Sequence, residues 1–347
     1  MMRAVPTAED ASPRVADRTP ESRGIARDEV RLLLSGPEQD DDRSFLDLPD
    51  VLEPGDLLVV NESATLPASL PAVGPFGPFL LNLSTQYGPD LWLAEPRWSH
   101  ARPGPLPLAD GTPVEAGGLA ATIVARYPSI PRLAFVRFEG DVARAMERDG
   151  RPIRYGYLAE EPSLVAYQTV FARRPGSAEM PSAGRPFSLR VLERLRRRGV
   201  AVATVVLHAG VSSLEMGDDV TGAPPLPPEP YAVPSATVDA IAAARRRCAR
   251  VVAVGTTVVR ALESALGPGG LRPSRGFTRR YVAPPARVAT ADALLTGFHA
   301  ASTTHLALLA ALAGEEVVER SYRHARDAGY RWHEFGDLQL LLSSASP

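Results

Sequence analysis

The chain has 347 residues, enough for two domains, and its formal charge at pH 7 is −2. It contains no lysine, which excludes Schiff-base lysine chemistry and a P-loop, and its single cysteine excludes an internal disulfide and a cysteine-based zinc site. Apolar runs are too short to span a bilayer, and the N-terminus lacks the apolar core of a signal peptide. We therefore expect a soluble, cytoplasmic protein with no membrane partner.

The first half of the chain contains a polar terminus and a stretch rich in proline and glycine. Residues 1–22 are polar and non-periodic, which predicts a disordered tail. A short buried strand is predicted at 57–61, after a Pro-Gly turn. From 66 to 150, short apolar stretches alternate with proline and glycine at intervals typical of a small β-barrel.

The second half alternates helices and strands. Ser188 and Gly199 bracket a predicted helix at 189–198, and a strand follows at 200–207. Further strands are predicted at 251–254 and around 294–295, each followed by a helix. The fold class predicted is α/β: a mostly parallel sheet formed by 23–65 and 151–347, with an inserted β-barrel domain at 66–150.

Ligands in open α/β sheets bind where strands end and helices begin, and three such places stand out. The first is Gly255-Thr256-Thr257, whose free N–H groups and two hydroxyls suit an anionic group. Arg260 and Glu263 share one face of the helix that follows. The structural alternative is a capped helix with a surface ion pair.

The other two places carry histidines. His208 follows a strand and is placed for proton transfer, with a hydrogen-bonded structural histidine as the alternative. His299 lies in a loop before the hydroxyls of Ser302 and Thr303, where ordinary helix capping is the alternative. We assign no role to His305. The histidine spacing does not indicate a metal site, so no metal is expected.

Arginine clusters at 194–198, 245–250 and 272–280 are a further feature. They could contact RNA phosphates, but solvated helix faces are the favoured interpretation. We find no interleaving of aromatic residues that would support stacking on a single strand.

These motifs occur in an order that resembles one family, the S-adenosylmethionine:tRNA ribosyltransferase-isomerases of queuosine biosynthesis. The resemblance spans about 27–341 and is weakest across 62–150. The motifs that carry it are Arg-Asp at 27–28, Arg-Leu-Leu at 31–33, Asn61, Tyr-Gln-Thr-Val-Phe at 167–171, Pro-Ser-Ala-Gly at 181–184, Leu-His at 207–208, Val-Val-Ala-Val-Gly-Thr-Thr at 251–257, Arg-Ala-Leu-Glu at 260–263, Asp-Ala-Leu-Leu-Thr at 292–296, Phe-His at 298–299 and Gly-Asp at 336–337.

The resemblance implies an α/β domain with an inserted six-stranded barrel. It also implies that the protein transfers and isomerises the ribosyl group of S-adenosylmethionine onto the 7-aminomethyl-7-deazaguanine base of a tRNA. The product is epoxyqueuosine, and adenine and methionine are released. S-adenosylmethionine is then a co-substrate, and tRNA is the macromolecular partner.

The resemblance also suggests roles for individual residues. Proton transfer and its support are assigned to His208, His299, Glu229 and Glu263. S-adenosylmethionine binding is assigned to Ser182, Gly184, Gly210, Gly255, Thr256, Thr257, Arg260, Ser302, Thr303 and Asp337. Binding of the acceptor substrate is assigned to Arg27, Asp28, Arg31, Asn61 and Tyr330.

The chain departs from the family pattern at several positions. The family segment Pro-Thr-Ala-Gly-Leu-His-Phe is Pro-Ser-Ala-Gly-Arg-Pro-Phe at 181–187, so Pro186 replaces its histidine. An arginine of the family is Ala64 here, and an asparagine is Gly297. Two other hypotheses therefore stay open: a divergent enzyme that uses S-adenosylmethionine on another acceptor, and a non-catalytic S-adenosylmethionine-binding protein.

Overall fold

A computed structural model describes residues 13–102, 104–128, 130–211, 226–299 and 304–343. The described residues form seven α-helices: α1 Leu48–Val51, α2 Val142–Asp149, α3 Leu189–Arg198, α4 Ser235–Arg246, α5 Thr256–Ala265, α6 Thr304–Ala313 and α7 Glu315–Asp327. They also form twenty-one strands: β1 Arg14–Val15, β2 Arg31–Ser35, β3 Asp40–Ser44, β4 Leu57–Asn61, β5 Ser63–Thr65, β6 Ser69–Gly74, β7 Gly77–Gln86, β8 Leu91–Arg97, β9 Pro113–Ala116, β10 Leu119–Arg126, β11 Ala134–Phe138, β12 Arg174–Ser177, β13 Ala201–Leu207, β14 Glu229–Val233, β15 Val251–Val254, β16 Leu266–Gly267, β17 Gly270–Leu271, β18 Ser274–Thr278, β19 Ala293–Gly297, β20 Arg331–Trp332 and β21 Leu338–Leu342.

Nine of the described strands form the larger sheet, in the order β18-β14-β13-β4-β15-β19-β21-β2-β3. The central strands β13, β4, β15 and β19 run parallel to one another. Every residue of β4 is buried, as expected for a parallel strand covered by helices on both faces. The α/β fold class is confirmed, but the sheet is mixed: antiparallel pairs flank the parallel centre on both sides.

Helix boundaries follow local signals in the sequence. The Ser188 hydroxyl accepts a hydrogen bond from the Val191 N–H at 3.3 Å at the start of α3, and Gly199 ends that helix with a φ of 85°. In α6, every residue from Leu306 to Ala313 is buried, which explains why this helix is apolar on all sides. No helix in the described part of the chain is long and apolar enough to cross a membrane.

Six of the described strands close into an antiparallel barrel, in the order β10-β11-β8-β7-β6-β9. Its interior is filled by apolar side chains, among them Leu81, Ile123 and Val136, which are fully buried. The chain enters the barrel after β5 and returns through α2 to β12, which pairs with β5. The barrel is therefore inserted in the α/β unit, as the sequence predicts.

Of the predicted disordered tail at 1–22, residues 1–12 lie outside the described residues, and residues 13–22 have defined contacts in the structure. Arg14–Val15 pairs in parallel with Arg331–Trp332. The Glu21 carboxylate lies 2.7 Å from a guanidinium nitrogen of Arg185. These partners lie more than a hundred residues away along the chain. The contacts could not be predicted from the sequence, because such pairings leave no trace in local composition.

Candidate active site

The carboxyl ends of the central parallel strands meet at one edge of the large sheet. Asn61 ends β4, and its side chain connects three elements there. Its Nδ2 donates to the carbonyl of Leu207 at 2.8 Å and to Oγ1 of Thr257 at 3.2 Å, while its Oδ1 accepts from the Leu207 N–H at 3.1 Å. Asn61 was expected to contact the acceptor, and Thr257 S-adenosylmethionine. In the structure these hydrogen bonds tie the ends of β4 and β13 to α5, and both assignments remain predictions.

His208 follows β13 directly and is held on two sides. Its Nδ1 lies 2.7 Å from the hydroxyl of Ser63. The backbone of Gly176 packs so close to the ring that a Cβ added at that glycine would lie 2.7 Å from three ring atoms. Burial lowers the pKa of His208, so the imidazole is neutral near pH 7 and can accept a proton.

A buried ion pair lies next to this edge. Glu229, the first residue of β14, is 2% exposed, and its Oε2 lies 2.5 Å from Nη2 of Arg260 on α5. Its other oxygen accepts from the N–H of Gly210 at 2.8 Å. The Nε of Arg260 donates to the carbonyl of Arg280 at 3.1 Å. Both charges are therefore oriented by further hydrogen bonds, as a buried pair requires.

A cleft opens beside this pair, between the first turns of α5 and α6. Gly255 precedes α5 with a φ of 95°, which glycine adopts freely, and Thr256 begins the helix. N–H groups in a first turn have no intrahelical partners and attract anions. The cleft is lined by Leu226, Pro227, Glu229, Thr256, Arg260, Arg280, Tyr281, Val282, Thr304, His305 and Leu308.

Two stacked histidines form part of this region. The rings of His299 and His305 lie 4.1 Å apart with an interplanar angle of 5°. The Nε2 of His299 is 3.0 Å from Oγ1 of Thr296, whereas the buried Nδ1 of His305 has no hydrogen-bond partner among the described residues. Burial lowers the pKa of both rings, and with the nearby charge of Arg260 it lowers that of His305 to about 4. Both rings are therefore neutral near pH 7.

Eight of the eleven lining residues were not predicted as site residues from the sequence, among them His305, Arg280 and Tyr281. A weak signal existed for His305, because it follows a run of hydroxyls at a helix start. Arg280 belongs to the arginine cluster at 272–280, which was assigned to solvent. Within the described ranges, no group of three His, Cys, Asp or Glu side chains is arranged to hold a metal.

The structure describes only some of the other residues predicted to bind S-adenosylmethionine. Ser182–Gly184 forms a short 3-10 turn at the same edge, and the Cβ of Ala183 lies 3.4 Å from where a Cβ on Gly255 would stand. Ser302 and Thr303 lie outside the described residues. The assignments of Ser182, Gly184 and these two hydroxyls to S-adenosylmethionine remain predictions.

Two carboxylates with roles assigned from the sequence, Glu263 and Asp337, accept hydrogen bonds from backbone N–H groups. One oxygen of buried Glu263 accepts from the N–H groups of Ala289 and Thr290, at 2.8 and 3.0 Å, and the other lies 3.6 Å from Arg280. Asp337 accepts from the N–H groups of Arg31 and Arg331, at 2.9 and 2.7 Å. Neither lines the cleft, so Glu263 positions a lining residue and Asp337 joins β2 to β20. The assignments of Glu263 to the support of proton transfer and of Asp337 to S-adenosylmethionine binding remain predictions.

Arg27 and Asp28, which were predicted to bind the acceptor, form contacts with other residues of the protein. Asp28 is buried and forms an ion pair with Arg190 at 2.5 Å, which anchors the start of α3. Arg27 donates to the carbonyl of Gln168 at 3.3 Å. These contacts are intramolecular because the segment before β2 lies against α3 and the 164–168 turn.

Arg31 and Tyr330 form a second intramolecular group. The Arg31 guanidinium lies 3.7 Å from the centre of the Tyr330 ring and 3.0 Å from the carboxylate of Asp42. Tyr330 is fully buried, and its hydroxyl also donates to Asp42. Neither residue lines the cleft, and their assignment to acceptor binding remains a prediction.

The departure at 185–186 is accommodated inside the protein. Arg185 is 2% exposed; its Nε donates to the carbonyl of Ala166 at 2.8 Å and its Nη2 to Glu21 at 2.7 Å. Its guanidinium also lies 4.9 Å from the centre of the Phe335 ring. Pro186 is buried as well. Arg185 therefore supports the N-terminal segment, and neither residue lines the cleft.

The family model described as "Queuosine biosynthesis protein" matches residues 12–341. The chain belongs to this family. A relative from Thermus thermophilus, named S-adenosylmethionine:tRNA ribosyltransferase-isomerase, is 39% identical over 331 residues, covering 91% of this chain and 93% of its own length. A relative of the same name from an Azoarcus species is 38% identical over 322 residues, covering 91% of each chain.

A solved member of the family has a similar architecture. The crystal structure of S-adenosylmethionine tRNA ribosyltransferase from Thermotoga maritima aligns with a TM-score of 0.51 and 28% identity, covering 97% of this chain and 98% of that one. The likeness therefore includes both the sheet and the barrel. The resemblance stated from the sequence is confirmed, and so is the expectation of an enzyme of this family.

Proposed function

We propose that this protein transfers and isomerises the ribosyl group of S-adenosylmethionine onto the 7-aminomethyl-7-deazaguanine base of a tRNA. The products are epoxyqueuosine in the tRNA, adenine and methionine. One observation carries the proposal: the Glu229–Arg260 pair, Thr256 and neutral His305 line one cleft, in a chain whose relatives bear the name of this activity.

The cleft offers complementary charge to both ends of the methionine part of S-adenosylmethionine. Arg260 and the first turn of α5, with the Thr256 hydroxyl, suit its carboxylate. Glu229 balances Arg260 in the free protein and suits the ammonium or sulfonium of the bound substrate. Each of the two groups therefore has an opposite charge beside it in this buried position before the substrate arrives.

The reaction begins at the ribose methylene next to the sulfonium, whose positive charge acidifies it. Removal of that proton gives an ylide, which opens the ribose and expels adenine. The amine of the modified base then attacks the opened sugar, and ring closure expels methionine as a neutral thioether. The methylene proton leaves with adenine, and the amine loses one proton to solvent, so that atoms and charge balance.

His305 is the proton acceptor in this proposal. Its ring lines the cleft, its Nδ1 is unpartnered among described residues, and its pKa of about 4 leaves it in the accepting form at neutral pH. His299 is stacked behind it and fixes its orientation. His208, which lies at the next strand end with Ser63, is the other candidate for this step.

A second function, transfer to a different acceptor, is favoured by one observation. Arg185 and Pro186 replace a leucine and a histidine of the family segment, and Arg185 serves the N-terminal segment instead of a ligand. Such an enzyme would keep the S-adenosylmethionine chemistry and use another nucleophile.

Adenine release separates these functions. The purified chain is incubated with S-adenosylmethionine and one of three additions: tRNA that carries the aminomethyl base, tRNA with guanine at the same position, or no tRNA. Release only with the first supports the proposed reaction. Release that does not depend on the aminomethyl base supports the second function, and no release with S-adenosylmethionine bound supports a binding protein.

A further inference from the structure

Strand β18 presents an exposed row of alternating cations and an aromatic ring. Arg275 and Phe277 lie two residues apart and share one face of the strand, since strand side chains alternate. The other face turns inward: Ser274 lies 2.8 Å from the hydroxyl of Tyr231, and Thr278 lies 2.5 Å from that of Ser264. Arg279 follows directly and is also exposed. We call Arg275, Phe277 and Arg279 the β18 face.

Phe277 is an unusual residue for a solvated edge. It is 53% exposed, although an aromatic ring of this size normally gains by burial. It stacks on Tyr87 of the barrel, with ring centres 5.4 Å apart and an interplanar angle of 14°. The Tyr87 hydroxyl donates to the carbonyl of Pro228 at 2.9 Å. The ring is therefore held in place while much of it stays open to solvent.

The two arginines of this face are free of ion pairs with any acidic residue that the structure describes, although Arg279 donates to the hydroxyl of Tyr127 at 3.0 Å. The cluster at 194–198 behaves differently: Arg196 and Arg197 both pair with Glu193 at 2.9 Å. Among the described residues, the arginines of the β18 face therefore have no carboxylate partner, whereas Arg196 and Arg197 share the carboxylate of Glu193.

The face lies next to the cleft. Arg280 and Tyr281, which follow Arg279 directly, both line the cleft. At about 3.3 Å per extended residue, Phe277 is within roughly 10 Å of Arg280 along the chain. A polymer whose reacting unit enters the cleft would therefore pass over the β18 face.

We propose that the β18 face binds a single-stranded segment of RNA next to the base that enters the cleft. Arg275 and Arg279 contact phosphates, and one base stacks on the open part of Phe277. Exposed cations with an aromatic platform are the recognised combination for single-stranded nucleic acid. The inference rests on the proposed function, because it takes tRNA as the acceptor. It also revises the expectation that no aromatic residue interleaves these arginines.

The test measures tRNA binding by fluorescence anisotropy over a series of salt concentrations. The variants are Phe277→Ala and Arg275→Ala/Arg279→Ala, and the control is Arg196→Ala/Arg197→Ala, which removes the same charge elsewhere. We expect Phe277→Ala to weaken tRNA binding about 5-fold or more. The double arginine variant should lower the slope of log K against log salt by about 0.7 for each phosphate that is no longer neutralised. The control and the affinity for S-adenosylmethionine should not change.

Wild-type tRNA affinity and salt slope in both β18 variants, with tRNA-dependent adenine release intact, would overturn this inference and leave the proposed function standing. A wild-type chain that binds no tRNA would overturn both. If the variants changed only the sedimentation of the free protein, the face would be an interface between copies of the chain, and the RNA assignment would be wrong.

Discussion

The imidazole rings of His299 and His305 stack face to face, 4.1 Å apart, and only His305 lines the cleft. Two buried parallel imidazoles cannot both carry a proton at low cost, and the charge of Arg260 opposes protonation further. The arrangement therefore keeps a neutral proton acceptor beside the Glu229–Arg260 pair. The proposed role of His305 in proton transfer depends on this stacking.

Replacing His305 should abolish most of the turnover without unfolding the protein. We expect His305→Gln to lower the rate of adenine release by about 10²–10⁴-fold, the range for loss of a general base. Affinity for S-adenosylmethionine, measured by calorimetry, should change little. Unchanged turnover would assign the proton transfer to another residue, with His208→Gln as the next variant to measure.

The assignment of His305 as the proton acceptor also predicts how kcat depends on pH. Because the pKa of His305 is lowered to about 4, the accepting form persists well below the usual histidine range, and the acid limb of kcat should lie below pH 5. Arg260 contributes to this lowering, so Arg260→Gln should move the acid limb to higher pH. An acid limb near pH 6.5 in the wild-type enzyme would contradict the assignment.

Gly176 should be required for the position of the His208 ring. A Cβ at this residue would lie 2.7 Å from three ring atoms, so Gly176→Ala must displace the imidazole from Ser63 or shift β12. We expect a loss of about 1–3 kcal/mol in the free energy of unfolding, together with reduced adenine release. Gly267→Ala is the matched control, since nothing lies within 4 Å of its added Cβ. Equal behaviour of the two variants would show that the contact is unimportant.

The Glu229–Arg260 pair should show strong coupling. Glu229→Gln leaves a largely buried guanidinium without its counter-charge, and we expect a loss of about 3–5 kcal/mol in the free energy of unfolding. The double variant Glu229→Gln/Arg260→Gln should lose less than the sum of the two single variants. Urea unfolding of all four proteins measures this, and strictly additive losses would mean that the two charges do not interact.

The Glu21–Arg185 ion pair should stabilise the ordered N-terminal segment. Burial raises the pKa of Glu21, but the hydrogen bond and charge of Arg185 outweigh it and leave the pKa below its usual value. A carboxylate with a lowered folded-state pKa stabilises above its unfolded pKa of about 4.3, and the contribution is lost as pH falls through the folded value. Glu21→Gln should therefore cost about 1–2 kcal/mol at pH 7, less than a fully buried pair, because Glu21 is 44% exposed.

That loss should shrink as the pH is lowered below the usual glutamate range, when the wild-type carboxylate becomes protonated. Urea unfolding at pH 7 and pH 3.5 measures the difference between the two proteins. A difference that stayed constant across this range would contradict the ionic origin of the stabilisation.

The sequence could predict elements whose signals are local. The strands at 57–61 and 251–254 and the helix at 189–198 have the predicted bounds, because a buried apolar run or a Ser and Gly cap marks each. The barrel was likewise visible in its alternating turns. The antiparallel strands β14 and β18 were not, since their pairing brings together segments far apart in sequence.

The site was predicted in part for the same reason. Strand-end residues such as His208 and Thr256 were found because position in an α/β fold is readable from the sequence. The pairing of Glu229 with Arg260, and the stacking of His305 on His299, depend on how helices pack, which a single sequence does not encode locally. Asp28 belongs to a motif shared with the family and forms an ion pair with Arg190 in the structure, and a motif match by itself does not separate a binding role from a structural one.

Mass spectrometry of the tRNA nucleosides after reaction shows whether the ribosyl group is transferred to the base. The purified chain is incubated with S-adenosylmethionine and tRNA that carries the aminomethyl-deazaguanine base. We expect this base to gain the isomerised ribosyl group and become epoxyqueuosine, with one adenine and one methionine released for each base converted. An unchanged base, in a preparation that binds S-adenosylmethionine or releases adenine from it, would contradict the proposed transfer to this base.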